Sequence, residues 1–138
     1  MTVALKYPGA KNRIAQKLLA YMPAHKVYLE PYAGSLSFLL QKPRSYIETV
    51  NDLDGRITNF FTVLRDCPLD LISRLSLTPY SRVEYERAYQ DHNVDDPVER
   101  ARIFAIQCWM GFGSGCVYKN GFRSGQSPTS PNPAKAWK

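Results

Sequence analysis

The chain has 138 residues, 44% hydrophobic and 22% charged, the balance of one globular domain rather than of a disordered chain. No apolar run approaches the roughly 18 residues that a membrane helix needs. The opening residues Met1 to Lys6 lack the apolar stretch of a secretion signal, so a cytoplasmic protein is expected. Cys67, Cys108 and Cys116 form no Cys-x-x-Cys pair, and His25 and His92 are the only histidines. Neither a disulfide framework nor a metal site is expected, and the thiols read as buried or idle.

The net charge is +6, and residues 111–138 hold Lys119, Arg123, Lys135 and Lys138 with no acid. That placement favours a phosphate-bearing partner, a solvated basic tail being the alternative.

In chain order, Ile14, Leu18, Leu19 and Met22 recur at helical spacing and predict a first helix over Lys11 to Met22, stopped by Pro23 and preceded by the Pro8-Gly9 turn. Lys26 to Glu30 is β-prone. After Pro31 and Gly34 an apolar run over Leu36 to Gln41 predicts a helix with Ser35 as N-cap. Ser45 to Val50 reads as a second strand, and Asn51-Asp52-Leu53-Asp54 opens a helix with Ile57, Phe60, Phe61 and Leu64 on one face. This strand, turn, helix repeat predicts an α/β fold with parallel strands and ligands beyond their carboxyl ends.

Beyond Cys67-Pro68 strand signals vanish. Helices are predicted at about Leu69 to Leu77, Ser81 to Asp91 and Pro97 to Met110. In the last of these, Asp96, Pro97 and Glu99 form a capping-box-like start, and Val98, Ala101, Ala105, Ile106 and Trp109 lie at core spacing. Arg100 and Arg102 are expected to face solvent or a partner. Glycines and prolines crowd residues 111–138, which read as a long basic loop.

Three turns could carry chemistry. Glu30-Pro31-Tyr32-Ala33-Gly34-Ser35 lies between a strand and a helix, where Gly34 lets backbone approach a ligand and Glu30 can accept a hydrogen bond. A plain β-turn-α connection would use the same residues. Asp52, twenty-two residues after Glu30, also ends a strand and is suited to ribose hydroxyls. Either Asp52 or Asp54 would serve as a helix cap; we expect Asp54 to cap and Asp52 to bind. The turn lacks G-x-G-x-x-G, which disfavours NAD. In Lys6-Tyr7-Pro8-Gly9-Ala10-Lys11, Tyr7 offers a ring or hydroxyl and Lys11 a charge for a ligand carboxylate, although a solvated N-terminal turn would look the same.

Together these residues resemble the Dam-like family of DNA adenine-N6 methyltransferases, particularly versions common in bacterial viruses. The likeness rests on Tyr7-Pro8-Gly9-Ala10-Lys11, Glu30-Pro31-Tyr32-Ala33-Gly34 and Asn51-Asp52-Leu53-Asp54, and covers essentially the whole chain. It implies a partial Rossmann-like domain that binds S-adenosylmethionine, with Tyr7 and Lys11 flanking its two ends, the turn through Gly34 and Ser35 wrapping the methionine, and Asp52 on the ribose. Glu99 to Phe104, the later Gly-rich loop and Pro131-Asn132-Pro133 resemble an inserted helical DNA-recognition region, in which Arg100, Lys119, Arg123 and Lys135 are expected to contact DNA. The resemblance divides the chain into a cofactor portion, 1–66, and a recognition portion, 67–138.

Two departures stand out. Leu36 replaces a second glycine of the cofactor turn, and the family's catalytic Asp-Pro-Pro-Tyr is absent. Thr78-Pro79-Tyr80 and Asp95-Asp96-Pro97 do not replace it. An N-terminal half of such an enzyme is therefore expected, truncated or split, inactive alone, and hiding its sheet edge as a homodimer or against a complementing C-terminal polypeptide. A non-catalytic DNA-binding or regulatory remnant is the alternative, and a degenerate product without function a third.

Overall fold

The computed structural model describes residues 4–90, 93–114, 116–125, 133–135 and 137. Met1, Asp91, His92, Pro131, Asn132 and Lys138, named above, lie outside the described residues. The elements are α1 (Ala15–Leu19), β1 (Val27–Glu30), β2 (Ile47–Val50), α2 (Gly55–Asp66), α3 (Pro68–Leu77), α4 (Arg82–Arg87) and α5 (Pro97–Met110). Short 3-10 helices follow at Phe112–Ser114 and Pro133–Lys135.

β1 and β2 pair in parallel, with Val27 opposite Ile47 and Glu30 opposite Val50. A parallel pair needs a crossover connection, and both strands end at the turns singled out by sequence. Val27, Leu29 and Ile47 share one face by this register and stay exposed. The strands are shorter than predicted. Ser45 is withdrawn from β2 because its N–H donates to Glu48 Oε1 at 2.9 Å and its hydroxyl accepts from buried Lys42 at 2.7 Å.

The main core lies where α2 packs on α5, with α3 against both. Ile57, Phe60 and Val63 of α2 are buried, while Phe61 and Leu64 are half-buried against the same cluster. From α5, Val98, Ala101, Ala105 and Ile106 are buried as the periodicity predicts, joined by Phe104, Cys108 and Met110; Trp109 is half-buried. This cluster takes residues from both sides of position 66: Leu5, Ala33 and Leu36 as well as Leu71 and Cys116. A smaller cluster gathers Tyr85, Ala88, Ile106 and Met110. Cys108 and Cys116 are buried, whereas Cys67 is exposed. Among the described residues no helix is long and apolar enough to cross a membrane.

The helix predicted over Leu36 to Gln41 is a series of turns. Leu36 itself has φ +52°, a left-handed conformation that cannot continue a right-handed helix, and Ser35 Oγ lies 2.6 Å from Ser37 Oγ instead of capping. Because left-handed backbone costs an L-residue about 1–2 kcal/mol, Leu36→Gly should be about 1 kcal/mol more stable than Leu36→Ala in urea titration. Both variants should be less stable than the parent, since Leu36 is only 5% exposed. An alanine variant equal to or better than the glycine variant would refute this.

The first helix shortens to Ala15–Leu19, flanked by turns, because Ile14 at its N-cap supplies no side-chain acceptor and only Ala15 is buried. α4 ends at Arg87 rather than Asp91, after a start capped by Ser81. α5 begins as predicted, with Asp96 accepting from the Val98 N–H at 2.9 Å. The capping box is not closed, however, because Glu99 turns to Arg102 at 2.6 Å. Arg102 does not face solvent either. Its guanidinium, 19% exposed, binds Glu99, Glu84 and Thr78, bridging α5 to α4 and to the α3–α4 connection.

The stretch after Met110 is not wholly irregular. Gly111 and Phe122 form an antiparallel bridge, with Phe112 N–H donating to Gly121 O and Arg123 N–H to Met110 O, each at 2.8 Å. Two tyrosines hold the returning arm: the Tyr80 hydroxyl donates to Arg123 O at 2.9 Å and the Tyr85 hydroxyl to Asn120 O at 2.7 Å. Trp137 donates to Thr78 O at 2.8 Å and packs on Tyr80.

Candidate functional site

The three predicted turns converge on one cavity of about 460 Å³, within the roughly 300–1,000 Å³ typical of small-molecule sites. Tyr7, Pro8, Gly9 and Lys11 form one wall. Glu30, Pro31, Tyr32, Ala33, Gly34 and Ser35 form the second, and Asp52 closes the floor. Sequence reasoning missed Leu29 and Phe38, which also line it. The only signal for Leu29 was its place next to the strand tip, and Phe38 was hidden by the expected helix.

Gly34 has φ +49°, and a Cβ there would meet the Tyr7 ring at 3.4 Å, so glycine keeps the second wall and the ring in close apposition. Asp52 welds the floor to that wall. Its Oδ2 accepts the Gly34 N–H at 2.9 Å and its Oδ1 the Asp54 N–H at 3.0 Å. Asp54 caps α2 through the Arg56 N–H at 3.0 Å, so the two aspartates divide their work: Asp54 holds the helix and Asp52 the turn.

Glu30 is half-buried at the strand tip, and Oε2 accepts from the Tyr28 hydroxyl at 3.1 Å and the Leu39 N–H at 3.2 Å. Burial pushes its carboxyl above the ordinary range, although those two bonds and Lys42 pull it back. Its Oε1 has no hydrogen-bond partner among the described residues and is available to a ligand donor. Burial and the nearby Asp54 carboxylate push the Tyr7 hydroxyl up to about 12. Lys11 is exposed, its Nζ resting on Gly9 O at 2.6 Å.

The expected DNA contacts do not form one cluster. Arg100 and Lys119 line a second cavity, of about 480 Å³, together with Arg56. Arg123 is half-buried, its backbone held by Met110 and Tyr80. Lys135 is exposed at the end of the second 3-10 helix and lines neither cavity.

Arg56 is a further residue that sequence reasoning missed. Its Nε and Nη2 bind Asp54 at 2.9 and 2.7 Å, while Nη1 donates to Gln107 Oε1 at 3.2 Å and Cys116 O at 3.0 Å. The guanidinium lies 4.9 Å from the Phe104 ring centroid, and Phe104 is 6.3 Å from the Tyr7 ring. Burial pushes the Asp54 carboxyl up, and the Arg56 bonds outweigh that and hold it below the usual carboxylate range. One guanidinium thus joins the cofactor-side turn, α5 and the loop after Met110. Among the described residues no group of three or more His, Cys, Asp or Glu side chains is placed to hold a metal.

A parallel strand pair whose carboxyl ends open onto a glycine turn and an acidic floor, backed by a helical region, is a partial Rossmann-like methyltransferase fold. The family whose sequence pattern matches is the D12 class N6 adenine-specific DNA methyltransferase, over residues 7–114, and the chain belongs to that family. No curated protein matches it. Membership of this class implies S-adenosylmethionine as methyl donor. The first cavity fits such a group: it offers acceptors for an ammonium and hydroxyls, a lysine for a carboxylate, an aromatic ring and a Cβ-free approach at Gly34.

Proposed function

We propose that the chain is the cofactor- and DNA-binding part of a Dam-like, site-specific adenine methyltransferase of bacteriophage type, as found in restriction and modification systems, acting in the cytoplasm. The observation that carries this reading is the convergence of three separate turns on one cavity whose donors and acceptors suit S-adenosylmethionine. Residues 1–66 supply that cavity and residues 67–138 the DNA-reading surface, the two sharing a core.

In this reading the Tyr7 ring stacks on the adenine end of the cofactor, and Lys11 leaves Gly9 O to meet its carboxylate. Glu30 Oε1 accepts from its ammonium and Asp52 from its ribose. Asp52 also keeps the Gly34 N–H pointing inward, so it works by binding and by shaping the wall. Arg100, Lys119, Arg123 and Lys135 contact DNA. The cofactor, when bound, supplies a methyl group on a sulfonium. The adenine amino group is a poor nucleophile because its lone pair is delocalised into the ring, and its methylation requires tight positioning.

The 138 residues contain no Asp-Pro-Pro-Tyr to hold that amino group. Methyl transfer is therefore completed by a catalytic segment outside these residues, with the exposed strands β1 and β2 meeting a complementing polypeptide or a second copy. The same missing motif favours a second reading, a non-catalytic DNA-binding or regulatory protein with this fold.

Titration calorimetry tests the cofactor assignment. The chain should bind S-adenosylmethionine saturably, Asp52→Ala should weaken binding at least about tenfold by freeing two backbone donors, and Lys11→Ala should weaken it less. A folded chain that binds no cofactor would reject this reading in favour of the second.

A further inference from the structure

The second cavity shares no lining residue with the first. Its floor is apolar and aromatic, with Ile103 and buried Phe104 from α5 and buried Ala88 after α4. Tyr118 also lines it and is 79% exposed. Arg56, Arg100 and Lys119 bring three cations to it from separate segments, and the described lining residues include no carboxylate.

Only Arg56 of these cations is neutralised, by Asp54. Arg100 forms no ion pair with a described residue. It is held by neutral acceptors alone, Val94 O and Asp95 O at 3.2 Å and Asn59 Oδ1 at 3.3 Å, which orient the guanidinium without cancelling its charge. Lys119 has neither an ion pair nor a hydrogen bond with a described residue, and it follows Tyr118 directly in the loop. Arg102, one turn along α5 from Val98 and Glu99, shows the contrast: it is matched by two carboxylates and lines no part of this cavity.

A cleft with a stacking ring, an apolar floor and uncompensated positive charge matches a ligand that is both flat and anionic. Gln107 does not read the ligand's edge, because its amide is used by Arg56 at 3.2 Å and by Ala88 O at 2.6 Å. We propose that this cavity is a nucleotide site separate from the cofactor cavity, with the base against Ile103 and Tyr118 and the phosphate on Arg100 and Lys119. Its ligand is a nucleoside phosphate, either free or as one unstacked residue of a DNA strand. Only the second source rests on the DNA reading above.

The experiment titrates deoxyadenosine 5′-monophosphate and, separately, a short DNA duplex into the full chain, the Lys119→Gln variant and the Arg100→Gln/Lys119→Gln double variant. Circular dichroism checks that each is folded; Lys119 is exposed, so its single variant keeps the test open if the double variant unfolds. The mononucleotide should bind whether or not S-adenosylmethionine is present, at least about tenfold more weakly to the double variant. The duplex should also weaken, and the slope of its log affinity against log salt should shrink by about 2, near 0.9 for each phosphate that is no longer neutralised. Weakening for the mononucleotide alone identifies a free nucleotide, leaving the site standing and the DNA reading fallen. Weakening for the duplex alone is what phosphate contacts without a base site would give, and it overturns the nucleotide site while leaving the DNA reading standing. Unchanged affinity for both ligands in a folded variant, or displacement of the mononucleotide by S-adenosylmethionine, overturns the proposal.

Discussion

Phe104→Ala should lower the unfolding free energy by about 3–5 kcal/mol, the usual cost of deleting a buried phenyl ring. Phe104 is 1% exposed and belongs to the main core. It is also the point where three parts of the molecule meet: its ring is 6.4 Å from Phe60 on α2, 6.3 Å from Tyr7 and 4.9 Å from the Arg56 guanidinium. A domain of this size has roughly 5–15 kcal/mol to lose, so the variant approaches unfolding at room temperature. Its Tm should fall by roughly 10–20 °C. Phe104→Leu keeps most of the apolar contact and should cost under half as much. Urea titration followed by far-ultraviolet circular dichroism measures both, and a loss below about 1 kcal/mol for Phe104→Ala would show that the α2–α5 seam is not the seat of stability.

Arg56→Gln should cost about 2–3 kcal/mol. Hydrogen bonds to charged groups are worth about 1.5–3 kcal/mol, and the partial exposure of this guanidinium holds the total near that of one such bond. The substitution leaves Asp54 without its ion-pair partner and frees both Gln107 Oε1 and Cys116 O. Arg56→Lys should recover less than half of the loss. An ammonium cannot reach Asp54, Gln107 and the Cys116 carbonyl together, and it stacks less well on Phe104. Because Cys116 anchors the loop that carries Lys119, the DNA affinity proposed above should fall with stability and not independently of it. A double-mutant cycle with Asp54→Asn should be strongly non-additive. Equal melting of Arg56→Gln and the parent would mean that the loop is held by the Tyr80 and Tyr85 hydroxyls instead.

These two residues show where sequence reasoning stops. The partners of Arg56 on α5 and in the loop lie 51 and 60 residues away, and nothing in the spacing of Asp54, Gly55 and Arg56 announces them. Arg102 is expected from the sequence to meet solvent or a partner. The packing of α4 brings Glu84 to it and makes it an internal bridge. Leu36 lies in an apolar run that reads as helix, yet its backbone turns left-handed.

The local framework was legible in the chain alone. It includes the bounds of α5 with its Asp96 cap and Pro97 start, the two short strands and their parallel sense, and Asp54 as the cap of α2. Those features depend on hydrogen bonds and apolar periodicity within a few residues. Eleven residues that line the first cavity were legible too, because the chemistry of a strand-end turn is written in its own glycine and carboxylates. Tertiary packing settled the rest: the weld of Asp52 to Gly34, the half-burial of Arg123, and the gathering of Arg56, Arg100 and Lys119 about one cleft. Each depends on which distant surfaces pack together, and that choice is made by the burial of α2 against α5, a cooperative gain spread over the whole core rather than carried by any local pattern.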